Sequence, residues 1–276
     1  MKRGGIKARS SNKTEHLIEK LYKHDCSIKD DHLREILASG DAVIPYLEEI
    51  IIKTLQKKTD ASKVPLTGTE WFVVIHALYL LAHLKSEKSL DLILDFFSQD
   101  QKDLDYWLHD LLDEDLWEIP YLLGQNQLDK LQSFIMNQKN NMFSRLAVVI
   151  ALIQIALHYR NKSQEITKIF QALLLLKNED ADFIGLVASE LMDWRNDELE
   201  KFIINALKTY NVYEGIINID EVEWMYQNKK NRVIAPLNLY ARYEHFRQQS
   251  YFRSSSQDKV EKVIKLRKLD KSIKIE

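Results

Sequence analysis

The tetrapeptide Ile-Pro-Tyr-Leu stands at residues 44–47 and again at 119–122, 75 positions later. The correspondence runs on past it. At a shift of 74, Ala77 falls on Ala151, Leu78 on Leu152, Leu81 on Ile155 and Ala82 on Ala156. At a shift of 76, Leu90 meets Ile166, Ile93 meets Ile169 and Phe97 meets Leu173. A register held this long marks one structural unit built twice, and that constrains the fold more than composition does.

Within the unit, apolar residues recur at i, i+3, i+4 and i+7 between short polar breaks, the period of helices with one buried face. Two helical hairpins fit in each unit, so a hairpin takes about 37 residues, between the tetratricopeptide and HEAT periods. The pattern predicts helices near 13–24, 29–38, 42–57, 70–84, 87–97, 102–112, 116–122, 126–137, 142–158, 163–176, 181–193, 197–209, 219–227, 237–251 and 257–269. Thr67-Gly68-Thr69-Glu70 has the capping-box spacing before the fourth of these, and Ser86 with Glu87 opens the fifth. Residues 71–84 and 146–157 are apolar all round and need cover on several sides. No run alternates at period two. The expected fold is therefore all-α, an α-solenoid of stacked HEAT-like hairpins over 14–228, after a basic N-terminus (1–13) and before a basic helical tail or cap (229–276).

Several function classes are set aside by what the chain lacks. No GxGxxG or GxxxxGK[ST] occurs, so the usual phosphate-cradling loops are missing. Cys26 is the one cysteine, which precludes an intramolecular disulfide or a cysteine-based zinc cluster and fits a reducing compartment. The longest apolar stretches fall short of the roughly 20 residues that span a bilayer, and the N-terminal residues have no apolar core of a secretory signal. The expected location is cytoplasmic, with no membrane, cofactor or metal.

The segments WFVVIHALYLLAHLKSEKSLDLIL, LDYWLHDLLDEDLW and RLAVVIALIQIALH, in this order, resemble a bacterial family of HEAT-like helical proteins catalogued as a domain of unknown function. The resemblance spans roughly residues 40–225 and is most specific from Leu104 to Trp117. It implies the stacked-helix fold and no activity. Some relatives carry a C-terminal SEC-C zinc motif, which this chain, with one cysteine, lacks.

Charge is unevenly spread. Residues 1–13 carry +5 and residues 253–276 carry +4, which leaves −11 on 14–252 out of a total of −2. A body of that sign is a poor general nucleic-acid binder, because phosphates need a cationic track. The basic ends could touch nucleic acid or an acidic partner, or be solvated tails. Tail residues 254–276 could also fold back on the acidic segment or join another copy's. The stretch 238–253 interleaves aromatics with Arg242, Arg247 and Arg253, which suits stacking on bases and equally suits a capping helix.

Between 91 and 118 stand ten acids against Lys102 alone, with Tyr106, Trp107 and Trp117 among them. On a helix, Asp103, Tyr106, Trp107 and Asp110 share a face that could hold a cationic peptide or amine. The alternative is that Trp107 is core and the acids its solvated rim. The candidate binding surface is Asp103, Asp105, Tyr106, Trp107, Asp110, Asp113, Glu114 and Trp117, with Arg145 as a helix-start cation paired to this acidic neighbourhood. The expected function is a protein-interaction or scaffold module taking a cationic protein partner. The enzymatic alternative uses carboxylates at Asp105, Asp110 and Asp113. Metal ligation by His109 with Asp105, Asp110 and Asp113 has no recognised spacing behind it. His76 and His83, on one apolar helix, read as core histidines, and His158 similarly. Trp107, Asp110, Arg145 and Trp194 loosely resemble the concave set of HEAT-like alkylpurine DNA glycosylases, but the local words differ and the body has the wrong sign for duplex DNA.

Overall fold

The structure is a computed structural model and describes residues 13–57, 68–108, 111, 115–228 and 230–248. Every regular element among them is helical, and none is a strand. The capping residue Thr67, the expected helix 257–269 and the basic ends at 1–12 and 249–276 lie outside the described residues. The chain divides into two compact units, one of Met1–Leu84 with Leu237–Glu276, the other of Lys85–Pro236.

In the first unit, α1 (13–19) runs into a 3-10 turn, Lys20–Lys23, and is followed by α2 (Asp30–Ala38) and α3 (Ile44–Gln56). Pro45 sits in the first turn of α3, where its missing N–H costs no hydrogen bond. Leu47, Ile50, Ile51 and Thr54 form the single buried stripe of α3, which packs on α4 (Gly68–His83). Residues 72–82 of α4 are all buried, as an all-round apolar helix requires.

The last described helix of the chain, Leu239–Gln248, belongs to this same unit and packs on α4. Phe246 meets Phe72 and Tyr79 edge-on at 5.9 and 5.5 Å. Arg247 then ties the helix to the N-terminal segment, donating to the Cys26 carbonyl at 3.1 Å, the Ile28 carbonyl at 2.9 Å and Asp30 Oδ1 at 2.6 Å. Residues more than 200 positions apart in sequence thus close one core.

The second unit runs through α5 (Leu90–Phe97), α6 (Gln101–Leu108), α7 (Glu118–Gly124), α8 (Leu128–Met136), α9 (Met142–His158), α10 (Ser163–Leu174), α11 (Ala181–Leu191), α12 (Asp197–Tyr210) and α13 (Ile219–Gln227). Helix α9 is the hub and packs on α7, α8, α10 and α11. That explains why its sequence shows no polar face. Helix starts are capped by short polar side chains: Asn141 accepts from the Phe143 and Ser144 amides, Asp180 from Phe183, and Asn196 from Glu198. Asn218 and Glu221 form a reciprocal capping box on α13. Asn211 ends α12 in the left-handed conformation (φ 51°), which Asn tolerates better than most residues.

Some local elements are alike at the aligned positions, although α8 stands between α7 and α9 with no described counterpart between α3 and α4. Both Ile-Pro-Tyr-Leu segments lie at a helix start, in α3 and α7. The long apolar helices α4 and α9 are each followed by a 3-10 turn, Glu87–Ser89 and Arg160–Lys162, and then by another helix. The expected helix start at Ser86 and Glu87 is this turn, with α5 opening at Leu90. Each pair in the alignment from Ala77/Ala151 to Phe97/Leu173 is buried on both sides.

Candidate functional site

The expected acidic and aromatic face on α6 loses its rings to the core. Leu104, Trp107, Leu108 and Leu111 form the buried stripe at i, i+3, i+4 and i+7, and Trp107 is 2% exposed. An indole next to three leucines is drawn inward with them, so the ring that could sit on either face sits on the inner one. Trp117 is buried too, edge-on to Tyr121 at 5.8 Å. Tyr106 stays half-buried at the surface with its ring edge-on to Trp107 at 4.8 Å.

Of the acids, Asp95, Asp100 and Asp105 are exposed, while Asp91 pairs with Lys130 at 2.7 Å and Glu118 is buried. Burial and the neighbouring Asp100 raise the Asp103 carboxyl above its ordinary range. Asp105 accepts from the Gln101 amide, whose carbonyl accepts from Asn141, the cap of α9. Asp105 is thereby part of a polar chain that positions a helix start. His109, Asp110, Asp113 and Glu114 lie outside the described residues.

Arg145 pairs with none of the described acids of 91–118. It projects from the first turn of α9 into the core and forms a two-pronged ion pair with Glu179, at 3.0 and 2.6 Å. Its Nε donates to the Ile135 carbonyl at 2.8 Å, and its guanidinium lies 3.8 Å from the centre of the Phe183 ring. Glu179 also accepts from the Asp180 amide at 3.0 Å, so both buried charges are satisfied. Trp194 is buried against Phe170. The three described members of the glycosylase-like set, Trp107, Arg145 and Trp194, are thus all interior.

The exposed tryptophan is elsewhere. Trp224 on α13 is 63% exposed and shares a helix face with Asp220, Glu221 and Gln227. An open cleft is lined by Glu200 of α12 and by Glu223, Tyr226 and Gln227 of α13. Burial first, then Glu200 and Asp197, raise the Tyr226 phenol well above its usual range, and Arg195 opposes the shift. Val222 and Tyr226 are the buried residues of α13. A residue midway between two that face inward must face outward, so this exposure was readable from the helical wheel.

A second polar cluster was invisible to spacing. Gln154, fully buried in the apolar run of α9, donates from Nε2 to the Arg232 carbonyl (3.3 Å) and accepts at Oε1 from the Ile234 amide (2.8 Å). Nearby, the Arg232 amide donates to the Asp193 carbonyl at 2.8 Å, and its side chain lies 3.7 Å from the Asp193 carboxylate. Burial raises the Glu190 and Asp193 carboxyls; Asp193 raises Glu190 further, and Arg232 opposes both shifts. Among the described residues no group of His, Cys, Asp and Glu is placed to hold a metal ion. No single described helix is long and apolar enough to cross a membrane.

In the first unit His76 is a satisfied core histidine. It bonds through Nδ1 to the Tyr243 hydroxyl and through Nε2 to the His24 carbonyl at 3.0 Å, with the Tyr243 ring stacked on it. Burial pushes its pKa down to about 4, and burial with the nearby Arg242 takes His83 to about 4 as well. His158, exposed at the end of α9, bonds through Nδ1 to the Gln154 carbonyl. Burial raises the Cys26 thiol to about 11, so at neutral pH it is a protonated core group. For His76 the unfolded chain takes up a proton near pH 6.5 and the native chain only near 4. Stability is therefore full above 6.5 and falls on acidification, by about 3 kcal/mol for His76 once pH 4 is reached. Urea unfolding at pH 7, 6 and 5 should show the decline, and a His76→Gln variant should show a flatter one.

The described residues define an all-helical protein. The model of a protein family of unknown function, DUF1186, matches residues 12–249, and the chain belongs to that family. No curated protein and no solved structure matches it.

Proposed function

We propose that this protein is an interaction module that binds a cationic segment of a protein partner. The observation that carries the reading is Trp224, a large ring 63% exposed to solvent on a helix face shared with Asp220 and Glu221, on the helix that also gives Glu223 to an acidic cleft with Glu200. Exposed tryptophan is uncommon on a surface without partners and common at the centre of interfaces. Its ring face attracts ammonium and guanidinium groups, and the surrounding carboxylates steer them in. The exposed acids Asp95, Asp100 and Asp105 add to the negative field of the same unit. This moves the expected contact surface from 103–117, where Trp107 and Trp117 are buried, to α12 and α13.

The fold reading that accompanies it is a HEAT-like solenoid. Support comes from the internal repeat and from packing in the second unit, where α10 and α11 each pack on α12, and α12 on α13. The reading includes a cytoplasmic location, in keeping with the single buried thiol. No observation favours the enzymatic alternative: Asp105 is exposed and bonded to Gln101, and Asp110 and Asp113 lie outside the described residues.

A fluorescein-labelled lysine- and arginine-rich peptide tests the reading. Trp224→Ala is expected to weaken binding at least tenfold, about 1.4 kcal/mol or more, with the unfolding midpoint unchanged. Binding should also weaken with added salt. Equal affinity of wild type and variant, or no binding to either at low salt, would overturn it.

A further inference from the structure

We propose that the surface of the second unit around Gln154, Glu190 and Asp193 is a groove for an extended basic peptide, held at rest by the chain's own residues 230–236. The proposal goes beyond the Trp224 surface and does not depend on it.

Residues 230–236, Lys-Asn-Arg-Val-Ile-Ala-Pro, have no regular secondary structure and are largely solvent-exposed, Val233 at 55%. They are nevertheless held by backbone bonds. One carboxamide, that of Gln154, takes both the carbonyl of Arg232 and the N–H of Ile234. In an extended chain these two groups lie on one edge, the edge a neighbouring strand would use. Gln154 thus stands in for a peptide unit and reads backbone rather than side chain. It is the single amide in the otherwise apolar run 146–156, and it is fully buried. A buried carboxamide without those bonds is costly, so the surface demands an extended chain at this place.

Which chain it accepts is set by charge. Glu190 and Asp193 face Arg232, whose side chain is 72% exposed and 3.7 Å from the Asp193 carboxylate. Arg195 fixes the approach to the strap, taking Asn231 Oδ1 on its backbone N–H at 3.1 Å and donating from Nη1 to the Asn228 carbonyl at 2.7 Å. The preferred ligand therefore has a basic residue two positions before a backbone N–H that Gln154 accepts. The strap meets this rule, and a partner segment with the same pattern would meet it in trans. Because the strap is tethered, its effective concentration is on the order of millimolar, and it masks the groove from weak competitors.

The test uses the full chain and a fluorescein-labelled peptide of sequence Lys-Asn-Arg-Val-Ile-Ala-Pro, read by fluorescence anisotropy. Ile234→Pro removes the donor of the strap while leaving an extended backbone, and Arg232→Glu turns its charge against Asp193 without touching a buried group. Both variants are expected to bind the peptide at least tenfold more tightly than wild type. Adding Gln154→Leu to Arg232→Glu should abolish the gain, and a peptide carrying Glu in place of Arg should bind none of them. Circular dichroism checks folding, and Arg232→Glu alone decides if the other variants do not fold. Equal affinity for wild type and Arg232→Glu, or a gain over wild type that survives Gln154→Leu, overturns the proposal. A wild-type dimer that Gln154→Leu converts to monomer would assign the groove to the strap of a second copy and overturn it as well.

Discussion

Glu179→Ala is expected to lower the free energy of unfolding by about 3–5 kcal/mol, a large part of the 5–15 kcal/mol typical of a folded domain. The side chains of Arg145 and Glu179 are 3% and 2% exposed, so neither charge has water to fall back on. Removing the carboxylate leaves a guanidinium beside the Phe183 ring with only the Ile135 carbonyl to accept from it. Arg145→Ala should cost a similar amount for the mirror-image reason. Replacing both, Arg145→Met with Glu179→Leu, should cost much less than either single change, because the two desolvation penalties disappear together. Urea unfolding at pH 7 measures all four proteins. A single variant within about 0.5 kcal/mol of wild type would mean the pair is solvated and the packing of α9 described above is wrong.

Trp107→Ala is expected to cost about 3–5 kcal/mol, the range for removing a large aromatic side chain from a packed core. The same truncation one residue earlier, Tyr106→Ala, should cost about 1 kcal/mol, since Tyr106 is half-buried and mainly loses its contact with Trp107. Asp105→Ala should lie in that smaller range through loss of the chain to Gln101 and Asn141. None of the three should alter binding of a basic peptide at Trp224 while the protein stays folded. A Trp107→Ala variant of unchanged stability that no longer binds would return the contact surface to α6.

Trp107 and Trp224 show what helical spacing can and cannot decide. Trp107 lies at the edge of two stripes, one acidic (Asp103, Tyr106, Asp110) and one apolar (Leu104, Leu108, Leu111). Helical spacing admits it to either, and burial energy decides for the apolar one. Trp224 has no such ambiguity, because Val222 and Tyr226 leave it only the outer side of α13. Arg145 could be placed at a helix start from sequence, but its partner Glu179 lies 34 residues on, in a separate loop, and no local pattern announces the pairing.

Sequence alone determined the helical class, nearly every described helix within a few residues, the internal correspondence near 75 and the two all-round apolar helices that needed cover. All of these rest on short-range physics: a period of 3.6, caps, and the requirement that an apolar face be buried. Tertiary structure alone decided that Leu239–Gln248 closes the unit containing α4, that Arg145 finds Glu179, and that Gln154 holds the backbone of 230–236. Those are contacts between segments up to 221 positions apart. They depend on where packing delivers each segment, and a hydrogen-bonding group carries no mark in the sequence of the distant partner it will meet.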